Sequence, residues 1–238
     1  LDAAMDLRGL EIPTPAGIAS DDVVKFLQKT KPEIFERWES LGKLYANYKG
    51  EKCFLQTKEA KDHLQRIDEL IREAFSETTD LIAIGAPLDW LQEREEAGDF
   101  LMVRSTGAED SKKLANAGGN LSRAYVRSTP KEVLEAAGSV VASYFGEKSL
   151  QNRINSQINP FNEPLQLAVT MQKVIGEPIG GAKKTSLIPV SFVVFTNEPL
   201  FIGNEQFRIM RISASYGHGE GVVGNKGIAT DTIFLLLS

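Results

Sequence analysis

Near the C-terminal end of this 238-residue chain, four glycines surround one acid in Tyr216-Gly-His-Gly-Glu-Gly-Val-Val-Gly224. Glycine reaches positive φ freely and puts no side chain in the way. A strand running into Gly217, Gly219, Gly221 and Gly224 can therefore wrap a polar ligand with main-chain groups. Glu220 sits inside that wrap. A carboxylate among amides is a poor partner for bare phosphate but a good one for a hard cation that carries phosphate oxygens, so the stretch points to a Mg2+-nucleotide site. A second group of interest is Arg104, which leaves the apolar run Phe100-Leu-Met-Val103 and enters Ser-Thr-Gly-Ala-Glu-Asp110. Its planar fork suits a phosphate or carboxylate, and a salt bridge to Glu109 or Asp110 is an equal alternative. The glycine-rich Ala115-Asn-Ala-Gly-Gly-Asn-Leu-Ser122 follows, a pattern that more often marks a plain turn.

Composition narrows the ligand. A net charge of -5 argues against a duplex nucleic-acid partner, which needs a basic face, but leaves a small phosphorylated ligand open. Cys53 is the only cysteine, so neither a disulfide within the chain nor a thiolate metal cluster can form, and a reducing, cytoplasmic setting is expected. The longest apolar runs, such as Phe234-Leu-Leu-Leu237, fall far short of the roughly 20 residues of a membrane span. The two histidines, His63 and His218, stand in no nucleophile context, and His63 reads as a solvated surface residue.

These groups need elements to hold them. Two prolines in Leu10-Glu-Ile-Pro-Thr-Pro-Ala-Gly17 favour extended backbone. Ser20 before Asp21 and Asp22 reads as a capped helix start. Residues 31–48 and 57–75 carry apolar side chains at helical spacing, and another helix runs from Pro87 to about residue 97, with Gly98 ending it. Thr129-Pro-Lys-Glu132 has the form of a capping box, and the helix after it has an apolar face wide enough to be buried on two sides. Beyond a basic, amide-rich stretch ending at Pro164, residues 165–175, 187–196, 206–214 and 228–237 read as strands. The expected class is α+β in two lobes: 1–164, mostly helical and carrying the phosphate loop, and 165–238, β-rich, with the ligand at their junction.

Gly219-Glu-Gly-Val-Val-Gly224 also matches the G-x-G-x-x-G spacing of a dinucleotide fold, but that fingerprint requires a following helix, and here Thr230-Asp-Thr-Ile-Phe-Leu-Leu reads as a strand. The Walker pattern G-x-x-x-x-G-K-[ST] does not occur.

Taken together, Val103-Arg-Ser-Thr-Gly-Ala-Glu-Asp110, Ala117-Gly118, Met171-Gln-Lys-Val174, Phe195-Thr-Asn-Glu-Pro199 and 214–224 resemble the N-terminal nucleotide-binding domain of phosphoenolpyruvate synthases. Pyruvate phosphate dikinases, glucan water dikinases and rifampicin phosphotransferases share that domain. The resemblance begins at the Pro-rich segment near the N-terminus and runs to the end, with the motifs in the same order. It implies an ATP-grasp-like fold in which ATP with Mg2+ lies between two lobes and a phosphoryl group passes to a histidine on a mobile domain. By position, Arg104 would contact the phosphates and Glu220 would ligate Mg2+, the two together forming the catalytic set. Gly118, Gly119 and Ser122 would cover the phosphates, and Gln172 and the backbone near Val174 would meet adenine. Glu198, Gly217 and Gly219 complete the ATP-binding set that the resemblance implies.

The chain departs from the family pattern in places. Gly119 stands where the family's loop has glutamine, Glu198 where Asp or Asn is usual, and His218 where an apolar residue is common. The family's phosphate-binding lysine would fall just before Leu1, and its second metal-side residue near Asp231 or Thr232. The chain is thus expected to be a fragment of a longer protein, with the phosphohistidine domain elsewhere in it. The altered loop leaves a second possibility, a catalytically degenerate relative serving as a binding or interaction module.

Overall fold

The computed structural model describes residues 13–106, 120–175, 190–196, 208–216 and 230–237. The chain divides into two compact units, the first ending at Val174 and the second beginning at Ile175. Six α-helices and two antiparallel sheets occur among the described residues, an α+β architecture.

In the first unit, β1 (Ala16–Ile18) leads into α1 (Ser20–Thr30), followed by α2 (Glu33–Asn47) and α3 (Lys58–Glu77). The α2 side chains Ile34, Trp38, Leu41 and Tyr45 recur at helical spacing and are buried, as the pattern predicts. Thr57 caps α3, its hydroxyl accepting from the Ala60 N–H at 3.1 Å. Lys31 ties the end of α1 to α3 through Glu73 and Glu77 at 3.3 and 3.0 Å. The hydrogen bond to Glu77, more than any other contact, holds this ammonium above the usual lysine range, so the tie persists until the pH rises past that raised value.

The expected start of α1 is corrected in detail. Ala19 is the N-cap, and no side chain caps the helix. Ser20 instead donates to the Leu165 carbonyl at 2.9 Å and accepts from the Leu167 N–H at 2.8 Å, fastening α1 to residues 165–167. The capping box at 129–132 is likewise not closed. Thr129 makes no side-chain cap bond, and Glu132 accepts from the Arg127 N–H at 3.1 Å, so the acid ties the helix to the chain just before it.

After α4 (Leu88–Glu96), the strands β2 (Phe100–Ser105) and β3 (Ser122–Arg127) precede α5 (Pro130–Tyr144). Helix α5 is buried over most of its circumference because it packs on α3 on one side and on β2 and β3 on the other. Gly138 makes the helix-helix approach possible: a Cβ built there would lie 2.8 Å from the Phe75 Cβ. Arg72 of α3 adds a hydrogen bond of 3.0 Å to Ser139 across the same seam.

Helix α6 (Glu147–Asn155) occupies the stretch read from sequence only as basic and amide-rich. Its apolar signal is thin, because part of its buried face is Arg153, 3% exposed. That guanidinium donates to the Tyr144 carbonyl at 2.6 Å and lies 4.1 Å from the Tyr144 ring centroid. A charge of this kind reads as surface in any periodicity count.

β4 (Val169–Lys173) completes a four-stranded antiparallel sheet of order β1-β4-β2-β3. From sequence this strand falls with the C-terminal part, residues 165–238. In the structure its hydrogen-bond partners are β1 and β2, in the first unit. Alternation sends Ile18, Leu101, Val103, Val126, Val169 and Met171 into the core under α5.

The second unit is described as a three-stranded antiparallel sheet, β5 (Val190–Phe195), β6 (Arg208–Tyr216) and β7 (Thr230–Leu237), in that order. Phe195, Arg211 and Phe234 stand opposite one another across the three strands, with the Arg211 guanidinium 4.6 Å from the Phe195 ring centroid. Among the described residues no helix is long and apolar enough to cross a membrane.

Candidate functional site

Leu101 and Val103 of β2 must face the core, so strand periodicity sends Phe100, Met102 and Arg104 to the opposite, open face of the four-stranded sheet. On β4 the same alternation buries Val169 and Met171 and turns out Thr170 and Gln172. Register then decides which of these groups are neighbours. Arg104 is paired with Ser122 on one side and with Thr170 on the other, and Thr170 is paired with Gly17. One row across the sheet therefore reads Ser122, Arg104, Thr170, Gly17. The next row holds Met102 opposite Gln172. Beyond it, the Val174 N–H donates to the Phe100 carbonyl at 2.8 Å, and the Phe100 ring meets that of Tyr125 edge-on at 6.1 Å.

This face changes character along the strands. One end is polar and cationic, with Arg104 and Ser122 both exposed and Thr170 half-buried. The other end is apolar, with Met102 half-buried and Phe100 40% exposed. Between them, Gln172 donates from Nε2 to the Pro13 carbonyl at 3.4 Å, which leaves its Oε1 to accept. A ligand with an anionic end, a planar heterocycle and a polar edge matches that gradient.

Four residues singled out from sequence thus converge on one sheet face: Arg104, Ser122, Gln172 and Val174. The salt bridge weighed for Arg104 against Glu109 or Asp110 falls outside the described residues, as do Gly118, Gly119, Glu198, Gly217, Gly219 and Glu220. Among the described residues no group of three or more His, Cys, Asp or Glu side chains could hold a metal ion. One carboxylate, Glu220, is nonetheless the kind of donor Mg2+ takes, since that ion draws most of its other ligands from water and substrate phosphates.

Thr170 and Met102 carry no motif and stand in the sequence simply as strand residues. The period-2 alternation around Val103 and Met171 is the signal that separates them from the core. Asp99 carries no motif either; its side chain is 10% exposed and binds Lys173 at 2.7 Å, fixing the end of β4 beside Gln172. An open cavity of about 580 Å³ lies against α2, walled by Trp38, Tyr45 and Phe161. None of Arg104, Ser122, Thr170, Gln172 and Val174 lines it, and its walls are the outer edges of core aromatics.

A helix-rich unit carrying an antiparallel sheet with one open, cation-bearing face, joined to a second antiparallel sheet, is an ATP-grasp-like α+β protein. The chain belongs to the family of the AMP/ATP-binding domain of pyruvate phosphate dikinase, whose sequence model matches residues 2–236. As a member it is a nucleotide-binding domain of the dikinase-type phosphotransferases, as the motif resemblance implied. A search of curated proteins gives no match.

Proposed function

We propose that this chain binds ATP with Mg2+ and transfers a phosphoryl group to a histidine on another domain of the full-length protein, most simply in a phosphoenolpyruvate synthase-like reaction. There, pyruvate, ATP and water become phosphoenolpyruvate, AMP and phosphate. The observation that carries this reading is the convergence of Arg104, Ser122 and Gln172 on one face of one sheet. Family membership supports the nucleotide.

In this reading the phosphates lie over Arg104 and Ser122, and the base lies over Met102 with Gln172 at its edge. Phosphoryl transfer needs little covalent help from the protein. It needs in-line positioning and donors aimed where charge sits in the transition state. Arg104 supplies a guanidinium fork, Ser122 a hydroxyl donor, and the 117–119 loop and Gly217 and Gly219 would supply main-chain amides. Glu220 would face the cation, which contributes neutralisation of the phosphate charge when bound, and Glu198 would belong to the ATP-binding set. An acceptor histidine then meets a phosphorus whose oxygens are already held.

Thermal unfolding with ATP tests this. With ATP near one hundred times its Kd and Mg2+ present, binding contributes about 2.7 kcal/mol, a rise of roughly 5–10 °C in Tm. Glu220→Ala should lose the part of that rise that depends on Mg2+. A rise that ignores both Mg2+ and the substitution contradicts the metal role. No rise at all, in a chain that carries the family's upstream lysine, favours the interaction-module reading instead.

A further inference from the structure

The row that holds Arg104 contains one more group able to bind phosphate, and no motif marks it. Thr170 stands directly opposite Arg104 on β4, on the open face, while its neighbours Val169 and Met171 are fully buried on the other side. Ser122 stands opposite Arg104 on β3. The guanidinium is therefore flanked by two hydroxyls on the adjoining strands, about 4.8 Å away on either side by the ordinary spacing of strands. Directly opposed side chains at that spacing can reach a common ligand atom group.

What lies beyond Thr170 matters as well. Its partner on β1 is Gly17, an exposed residue without a side chain, so nothing from the edge strand stands over the end of the row. A Cβ at Gly17 would already lie 3.3 Å from the Val169 carbonyl oxygen, and among the described residues it would meet nothing else within 4 Å. Thr170 is half-buried, and among the described residues its hydroxyl has no hydrogen-bond partner. A threonine in a central strand can serve as a β-branched filler, and valine would then serve equally well. Three features set this one apart from a filler: its row partners, the open end beside it, and a hydroxyl not engaged by the described protein.

We infer that Thr170 is a phosphate-positioning residue: its hydroxyl donates to a phosphate oxygen of the nucleotide held by Arg104, forming with Ser122 a three-donor row. This rests on the reading that the nucleotide lies on this face. The Thr170 hydroxyl engages only the phosphates, because the base row, Met102 and Gln172, is the next one along the strands.

The test compares ATP, inorganic triphosphate and adenosine as ligands of the full 238-residue chain, by calorimetry, for wild type, Thr170→Val and Thr170→Ser. Loss of one hydrogen bond to a charged oxygen should weaken ATP and triphosphate about tenfold or more in Thr170→Val. Adenosine should stay within about twofold, and Thr170→Ser should restore most of the loss. If Thr170→Val binds ATP as tightly as wild type, or loses ATP and adenosine in equal measure, the assignment is overturned while nucleotide binding stands. If a chain that also carries the family's upstream lysine binds neither ATP nor triphosphate, the nucleotide reading itself falls, and this assignment falls with it.

Discussion

Replacing Arg104 with alanine is expected to lower ATP affinity about 100-fold while leaving the fold intact. The size follows from the type of bond. A guanidinium that grips a phosphate through two parallel charge-assisted hydrogen bonds contributes more than any single neutral donor, and removing it leaves the anion facing only hydroxyls. The sparing of the fold follows from position. Arg104 is exposed, it lies on the face of β2 away from the core, and its strand is held by Leu101 and Val103 on the other side. Surface substitutions of that kind usually change stability by less than about 0.5 kcal/mol. Arg104→Lys should recover only part of the affinity, because an ammonium offers a point charge in place of a fork. Calorimetry for affinity and a melting curve for stability check both halves. Wild-type affinity in Arg104→Ala would remove the phosphate end of the site. A lost affinity accompanied by a large fall in Tm would show a structural role instead.

The second large effect concerns the frame that carries the site. Helix α5 holds the sheet from behind, and its contact with α3 passes through Gly138. A Cβ at that position would sit 2.8 Å from the Phe75 Cβ and 3.0 Å from its Cγ. The obstacle is the root of a ring that is itself 1% exposed, so it cannot swing aside like the tip of a lysine. Two terms of opposite sign meet in Gly138→Ala. Alanine gains up to about 1 kcal/mol in helix propensity, whereas overpacking a tight core costs about 1–3 kcal/mol. The balance is a net loss of about 1 kcal/mol. In Gly138→Leu the propensity gain is no greater and the clash is much larger, so a loss of about 3 kcal/mol or more is expected, together with weaker ATP binding as the sheet loses its backing. Urea unfolding midpoints measure both. A Gly138→Ala protein more stable than wild type would mean that the two helices are not in the close contact described.

Much of this frame can be read from the chain. The helices α2, α3 and α5 announce themselves through apolar residues at i, i+3 and i+4, and the strands through alternation. What escapes is whatever depends on partners far along the sequence. The Ser20 hydroxyl has the right type and place for a cap, yet it binds backbone 145 residues away. Helix α6 hides behind Arg153, whose burial rests on the Tyr144 carbonyl and the aromatic rings around it. β4 looks like the first strand of the β-rich half, but strand register assigns it to the first sheet. That pairing is what sets Thr170 and Gln172 beside Arg104 and Met102. In the candidate site, motifs pick out Arg104, Ser122, Gln172 and Val174. They are silent on Thr170, because its role depends on the residue opposite it rather than on those next to it in sequence.

The central claim is that ATP lies on the open face of the four-stranded sheet. Hydrogen exchange of the whole chain, with and without Mg2+ and saturating ATP, tests it most directly. Nucleotide should slow exchange in peptides covering residues 100–106, 120–124 and 169–175, and should leave helix α2, residues 33–47, unchanged. Protection that appears on α2 or elsewhere in the first unit but spares those three segments would contradict the account.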